Sequence, residues 1–167
     1  TKTRAVSLIV DEVQTGCGSS GTFWAHEAWN LEHPPDVVTF SKKMQIAGFY
    51  TAKALTPELP YRIFNTWMGD PAKLIQLEVV IKCIEEDNLL SVVKSAGATL
   101  VDGLKALQNK YPHVLANARG IGTLVAVDFD TAERRDAVTR ELLRNGVDIG
   151  GCGSTTMRAR PGLYFTS

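Results

Sequence analysis

No long apolar run, no block of like charge and no paired cysteines occur in these 167 residues. The most apolar stretches, such as residues 5–10, are far too short to cross a bilayer, and no charged segment followed by an apolar one opens the chain. Eighteen Lys plus Arg balance 18 Asp plus Glu and mix along the sequence, so neither a nucleic-acid nor an anionic-membrane partner is expected. Cys17, Cys83 and Cys152 stand far apart, without a C-x-x-C pair or a histidine at ligand spacing, which argues against zinc or iron–sulfur binding by this chain. An odd number of scattered thiols fits a reducing compartment. Also missing is a G-x-x-x-x-G-K-[ST] phosphate loop. The first residue is Thr1 rather than Met, and a strand-like run follows with no earlier element to pair with it, so a start within a domain is expected.

What is present is a hydrophobic content of 44%, enough for a sizeable core, and an alternation of short strand-like and longer helix-like segments that reads as α/β. Residues 5–10 form a nearly continuous apolar run ending at Asp11-Glu12, the pattern of a buried central strand. Gly16, Gly18 and Gly21 mark a turn, residues 23–29 a short aromatic-rich helix, and Pro34-Pro35 its end. Residues 37–40 predict a second strand with Ser41 and Lys42 just beyond it, and residues 48–51 a third. Asp70-Pro71 is a helix start, with Asp70 as N-cap and Pro71 in the first turn. Leu74, Leu77, Ile81 and Ile84, then Val93, Gly97, Leu100, Leu104 and Leu107, repeat at helical spacing, which predicts a long helical connector over 71–111 with a core-facing stripe. Beyond Pro112 come a strand over 122–129, a helix over 131–144 stopped at Asn145-Gly146, and short strands near 147–149, 155–160 and 163–165. The expected organisation is therefore three segments, 1–70, 71–111 and 112–167.

Asp11 and Lys42 both fall at the carboxyl ends of strands, the edge where α/β sheets collect ligands. A lysine that holds an aldehyde covalently and a carboxylate that keeps a pyridine nitrogen protonated are the two groups pyridoxal-phosphate (PLP) chemistry requires. An apolar strand ending in Asp-Glu also suits a Walker B element of an ATPase fragment, which stands as the alternative from another class; no phosphate loop accompanies it here, and the lysine, threonine and arginine strings further along are unexplained on that view. Lys43 stands beside Lys42, and residue type alone does not separate them. Arg158 and Arg160 alternate on the same predicted strand and are equal candidates for binding a carboxylate. His26, between Trp24 and Trp29, reads as a packed, hydrogen-bonded residue rather than a catalytic base.

Asp11-Glu12-Val13-Gln14-Thr15-Gly16 and Thr39-Phe40-Ser41-Lys42, with 31 residues from Asp11 to Lys42, resemble the signature of the class III aminotransferases. Residues 61–67 (YRIFNTW), 69–71 (GDP), 150–153 (GGCG) and 158–161 (RARP) are similar to the 4-aminobutyrate (GABA) branch of that family. The resemblance implies the PLP-dependent transferase fold of type I: the C-terminal part of a large domain, then a small α/β domain. It implies PLP as cofactor, with Lys42 as its covalent lysine, Asp11 on the ring nitrogen, Val13 against the ring face and Gln14 at the phenolic oxygen. Thr66 matches a residue that binds the phosphate of the neighbouring subunit's cofactor, which implies a homodimer; packing or capping is the plain alternative for it. The same resemblance selects Lys42 over Lys43, and Arg158 over Arg160 as the arginine for a substrate carboxylate.

The implied reaction moves the amino group of 4-aminobutyrate to 2-oxoglutarate, giving succinate semialdehyde and glutamate, in the mitochondrial matrix. Ornithine, acetylornithine and β-alanine-type enzymes share the Asp and Lys signatures. By the same resemblance the phosphate cup, a second arginine and the cluster-binding cysteines of the GABA branch lie before residue 1, so no metal role falls to Cys17, Cys83 or Cys152. Cys17 departs from the family's glycine-rich turn.

Overall fold

The computed structural model describes residues 6–166, which divide into two compact units: 6–18 with 22–88, and 19–21 with 89–166. The expectation at residue 5 lies outside the described residues.

The first unit holds a three-stranded sheet, β1 (Ile9–Asp11), β2 (Val37–Phe40) and β3 (Gly48–Thr51), in the order β1-β2-β3. β1 and β2 are parallel, with Ile9 opposite Val37, Val10 opposite Val38 and Asp11 opposite Thr39. β3 runs antiparallel to β2. Val10, Val38 and Met44 are buried. Trp24, Phe40 and Tyr50 gather at ring-centroid distances of 5.2–6.2 Å, fastening the segment after β1 to the sheet. The expected aromatic helix is a single 3-10 turn, Ala25–Trp29.

Helix α1 (Pro71–Glu86) starts where the sequence signals it: Asp70 Oδ1 accepts a hydrogen bond from the Ala72 backbone N–H at 2.9 Å, with Pro71 in the first turn. The apolar stripe is buried only at one end. Ile84 is buried and Leu77 and Ile81 are half-buried, whereas Leu74, Ile75 and Val79 are each more than half exposed. α1 packs against the turn that carries Lys42. The connector expected over 71–111 is interrupted: Asn88 takes a left-handed φ of 51°, and a second helix, α2 (Leu89–Lys110), begins in the other unit.

The second unit is an antiparallel sheet in the order β4-β5-β7-β6, built from β4 (Leu115–Ile121), β5 (Leu124–Phe129), β6 (Gly150–Cys152) and β7 (Thr156–Ala159), with α3 (Ala132–Arg144) between β5 and β6. β5 alternates strictly, burying Val125, Val127 and Phe129. Leu115, Val127, Phe129 and Met157 form a core packed by Leu104 of α2 and by Val138 and Leu142 of α3. α3 has the boundaries read from sequence, with Thr131 Oγ1 accepting from Arg134 N–H and Asn145 closing the end.

Further expectations differ: the strand read at 5–10 as buried and central is, among the described residues, the three-residue β1 at one end of the sheet order, with Ile9 and Asp11 exposed. Residues 115–121, not read as a strand, form β4. The strand expected at 147–149 lies instead at Gly150–Cys152, and residues 163–165 form a turn. No helix among the described residues is long and apolar enough to cross a membrane.

Candidate active site

Because β1 and β2 are parallel and adjacent, their carboxyl ends share one edge of the sheet. Asp11 is the last residue of β1, and Lys42 opens the short turn Lys42–Met44 just past the end of β2. The carboxylate of Asp11 is exposed and held by two donors on one oxygen. The Val13 backbone N–H and the Thr39 hydroxyl each donate to Oδ1 at 2.9 Å. Among the described residues Oδ2 accepts none. The two hydrogen bonds, that from Val13 first, keep the Asp11 carboxyl below its usual pKa, and the Lys42 charge adds to the effect. Asp11 is therefore anionic at neutral pH, with one oxygen fixed and the other available.

Lys42 is exposed, and its backbone sits at φ 51°, the left-handed region that favours glycine. Gln45, at φ 60°, closes the turn: its side-chain amide and its backbone N–H both donate to the Lys42 carbonyl, at 3.2 and 2.9 Å. Side-chain-bearing residues held in this region concentrate at functional sites, since surrounding structure must offset a cost of about 1–3 kcal/mol. The two neighbouring lysines separate here. The charge of Lys42 acts on Asp11, whereas half-buried Lys43 acts on Cys17. Cys17 itself is fully buried at φ 65°, and burial pushes its thiol up to about 11 despite Lys43.

The segment leaving β1 is anchored by Glu12, 1% exposed. Its carboxylate accepts from the Thr15 hydroxyl and from the His26 backbone N–H, and Oε1 lies 2.9 Å from His26 Nδ1. Burial alone would raise the Glu12 pKa, but the bonds from Thr15, His26 and the Ala25 backbone outweigh it and the carboxyl is lowered. Val13 and Gln14 lie in the turn that this anchor shapes, both half-buried. The roles of Glu12 as anchor and of Thr39 as partner of Asp11 were not read from sequence. Thr39 lies within a recognised string, but its role depends on the parallel register.

Thr66 occupies an exposed turn over 66–69, preceded by Asn65, whose side chain accepts from the Trp67 N–H at 2.9 Å. Around it Tyr61, Phe64 and Trp67 are 72–88% exposed. In the second unit Arg158, on β7, is half-buried opposite Ala126 and Gly150 and lines a cleft of about 490 Å³ with Leu100, Val147, Arg160 and Pro161. Arg160 lies beyond the end of β7, so the two arginines do not share a regular strand face, although both reach the cleft.

The family of aminotransferase class III matches residues 1–167. The chain belongs to the class III aminotransferases. It is 53% identical over 163 residues to a 4-aminobutyrate aminotransferase of Dictyostelium discoideum, covering 98% of this chain and 33% of that protein. To the mitochondrial 4-aminobutyrate aminotransferase of Sus scrofa it is 46% identical over 159 residues, covering 95% of this chain and 32% of the relative. The chain thus spans about a third of the length of the curated relatives it matches. Among solved structures, a lysine aminotransferase from M. tuberculosis superposes with a TM-score of 0.89 at 31% identity, over 96% of this chain and 38% of that one. This α/β chain therefore has the fold of that family's carboxy-terminal portion, and the ATPase alternative has no remaining support.

Proposed function

We propose that this chain supplies part of the active site of a PLP-dependent aminotransferase acting on 4-aminobutyrate and 2-oxoglutarate. Succinate semialdehyde and glutamate are the products. The observation that carries the reading is the juxtaposition of Asp11 and Lys42 at one sheet edge, with Asp11 anionic and its Oδ2 available. Those groups suit PLP: a cationic pyridine nitrogen needs an acceptor, and an aldehyde needs a nearby amine. When bound, PLP supplies a carbonyl that condenses with amines and a ring that accepts the electron pair released at the substrate carbon.

Lys42 Nζ would be the amine that holds the cofactor aldehyde and, when free, the base that moves a proton at the substrate carbon. Asp11 keeps the ring nitrogen protonated. Val13 would pack on the ring, and Gln14 would donate to the phenolic oxygen. Arg158 receives a carboxylate of 2-oxoglutarate through its planar guanidinium. Thr66 serves the cofactor phosphate of a second copy, so the active form is a homodimer, and the mitochondrial relatives support a mitochondrial matrix location.

Donor choice rests on the identity to relatives named for 4-aminobutyrate, which exceeds the identity to the structure named a lysine aminotransferase. The test is glutamate formation from 2-oxoglutarate by the full-length homodimer, offered 4-aminobutyrate, ornithine, β-alanine or lysine in parallel. The reading expects 4-aminobutyrate to give the highest kcat/KM. A higher value for any other donor overturns the assignment of donor, and no transfer from any of them overturns the aminotransferase.

A further inference from the structure

We propose that Thr39 is a positioning residue for the cofactor, acting through Asp11: its hydroxyl and the Val13 N–H clamp Oδ1 so that Oδ2 faces the ring nitrogen in one fixed orientation. The inference rests on the proposed function and deepens it at the same site. Thr39 sits directly opposite Asp11 in the parallel pair. It is tied to the β1 end twice, since its carbonyl accepts from the Glu12 backbone N–H at 3.0 Å while its hydroxyl donates to Asp11 at 2.9 Å. The main chain after Asp11 and the Asp11 side chain are thus located by one residue of the neighbouring strand. β-Branching restricts the Thr39 side chain to few rotamers, so the hydroxyl is preset rather than recruited.

An exposed carboxylate without such a clamp samples several rotamers, and each alternative weakens its pairing with a ring nitrogen. Two donors on Oδ1 favour the ionised form and leave Oδ2 as the acceptor. The Val13 N–H belongs to the backbone and is present with any residue but proline at that position. The Thr39 hydroxyl is the part of the clamp that a side-chain change can remove.

The test compares T39V, which keeps the shape and loses the donor, with T39S, which keeps the donor and loses a methyl group, in the full-length homodimer. PLP release is followed on acidification, alongside the thermal midpoint of the apo form. Asp11 is held below its usual pKa, so removing one donor raises it, and T39V is expected to release PLP at a higher pH than wild type. At neutral pH T39V should also hold PLP about three- to tenfold more weakly, the range for losing one ordinary intramolecular hydrogen bond. T39S should follow wild type in both. If T39V and wild type release PLP at the same pH and with the same affinity, Thr39 is only structural and the inference is wrong. Should T39V not fold, T39A against T39S gives the same comparison. Wild-type protein that binds no PLP at Lys42 would instead defeat the proposed function.

Discussion

Glu12 Oε1 lies 2.8 Å from the backbone nitrogen of His26 and 2.9 Å from its Nδ1, joining the end of β1 to the 3-10 turn fourteen residues on. With the carboxylate 1% exposed, E12A leaves the Thr15 hydroxyl and the His26 donors without an acceptor. A loss of about 3 kcal/mol in unfolding free energy is expected, measured by urea denaturation. The pH dependence follows from the lowered pKa. The folded value lies below the ordinary 4.5, so the Glu12 contribution is complete above about pH 4.5 and disappears as pH falls through the folded value. Wild type and E12Q should therefore converge in stability in acid; a constant gap from pH 7 to the acid limit would show that the charge contributes nothing.

Much of this arrangement was legible in the sequence, and what was not has physical reasons. Asp70-Pro71 and Thr131 carry their cap chemistry locally, so α1 and α3 begin where expected. Asp11 and Lys42 follow from strand ends and recognised strings. β4 escaped notice because LANARGI lacks apolar alternation. Its register shifts between Ala116 and Arg119, and Asn117 takes φ 53° within it. The helix break at Asp87-Asn88 carries no proline or glycine to mark it, and helical apolar spacing resumes beyond it at Val93. The exposed Leu74, Ile75 and Val79 satisfy a helical period that says nothing about what covers them. Thr39 and Glu12 act through register and through a contact distant in sequence, which no local pattern encodes.

Asp128 gives a second pH-dependent expectation, in the other unit. Arg119 donates to both carboxylate oxygens at 3.0 Å, and Thr156 and Asn117 add 2.6 and 3.1 Å hydrogen bonds. Arg119, then Thr156, hold the carboxyl down to about 2 from 3.8. D128N should cost about 1 kcal/mol at pH 7, since half-exposed Arg119 is screened. The gap to wild type should be complete above about pH 3.8 and close as pH falls towards about 2. Thermal unfolding of both proteins across that range checks it; a gap that widens in acid contradicts it.

Two glycines of α2 offer a matched comparison. A Cβ on Gly97 would lie 2.1 Å from the Gly122 carbonyl oxygen, a backbone atom that cannot step aside, whereas one on Gly103 meets nothing within 4 Å. G97A should destabilise by at least about 2 kcal/mol, while G103A should stabilise by about 0.5–1 kcal/mol through helix propensity. Equal effects in chemical denaturation would mean that α2 does not approach the β4–β5 turn as described.

The central claim is that Lys42, not Lys43, forms the covalent link to PLP beside Asp11. Borohydride reduction of the full-length homodimer with PLP, followed by peptide mass mapping, tests it most directly. The expected result is a reduced pyridoxyl adduct on Lys42, retained in K43A and absent in K42A. An adduct on Lys43, or none in wild type, would contradict the account.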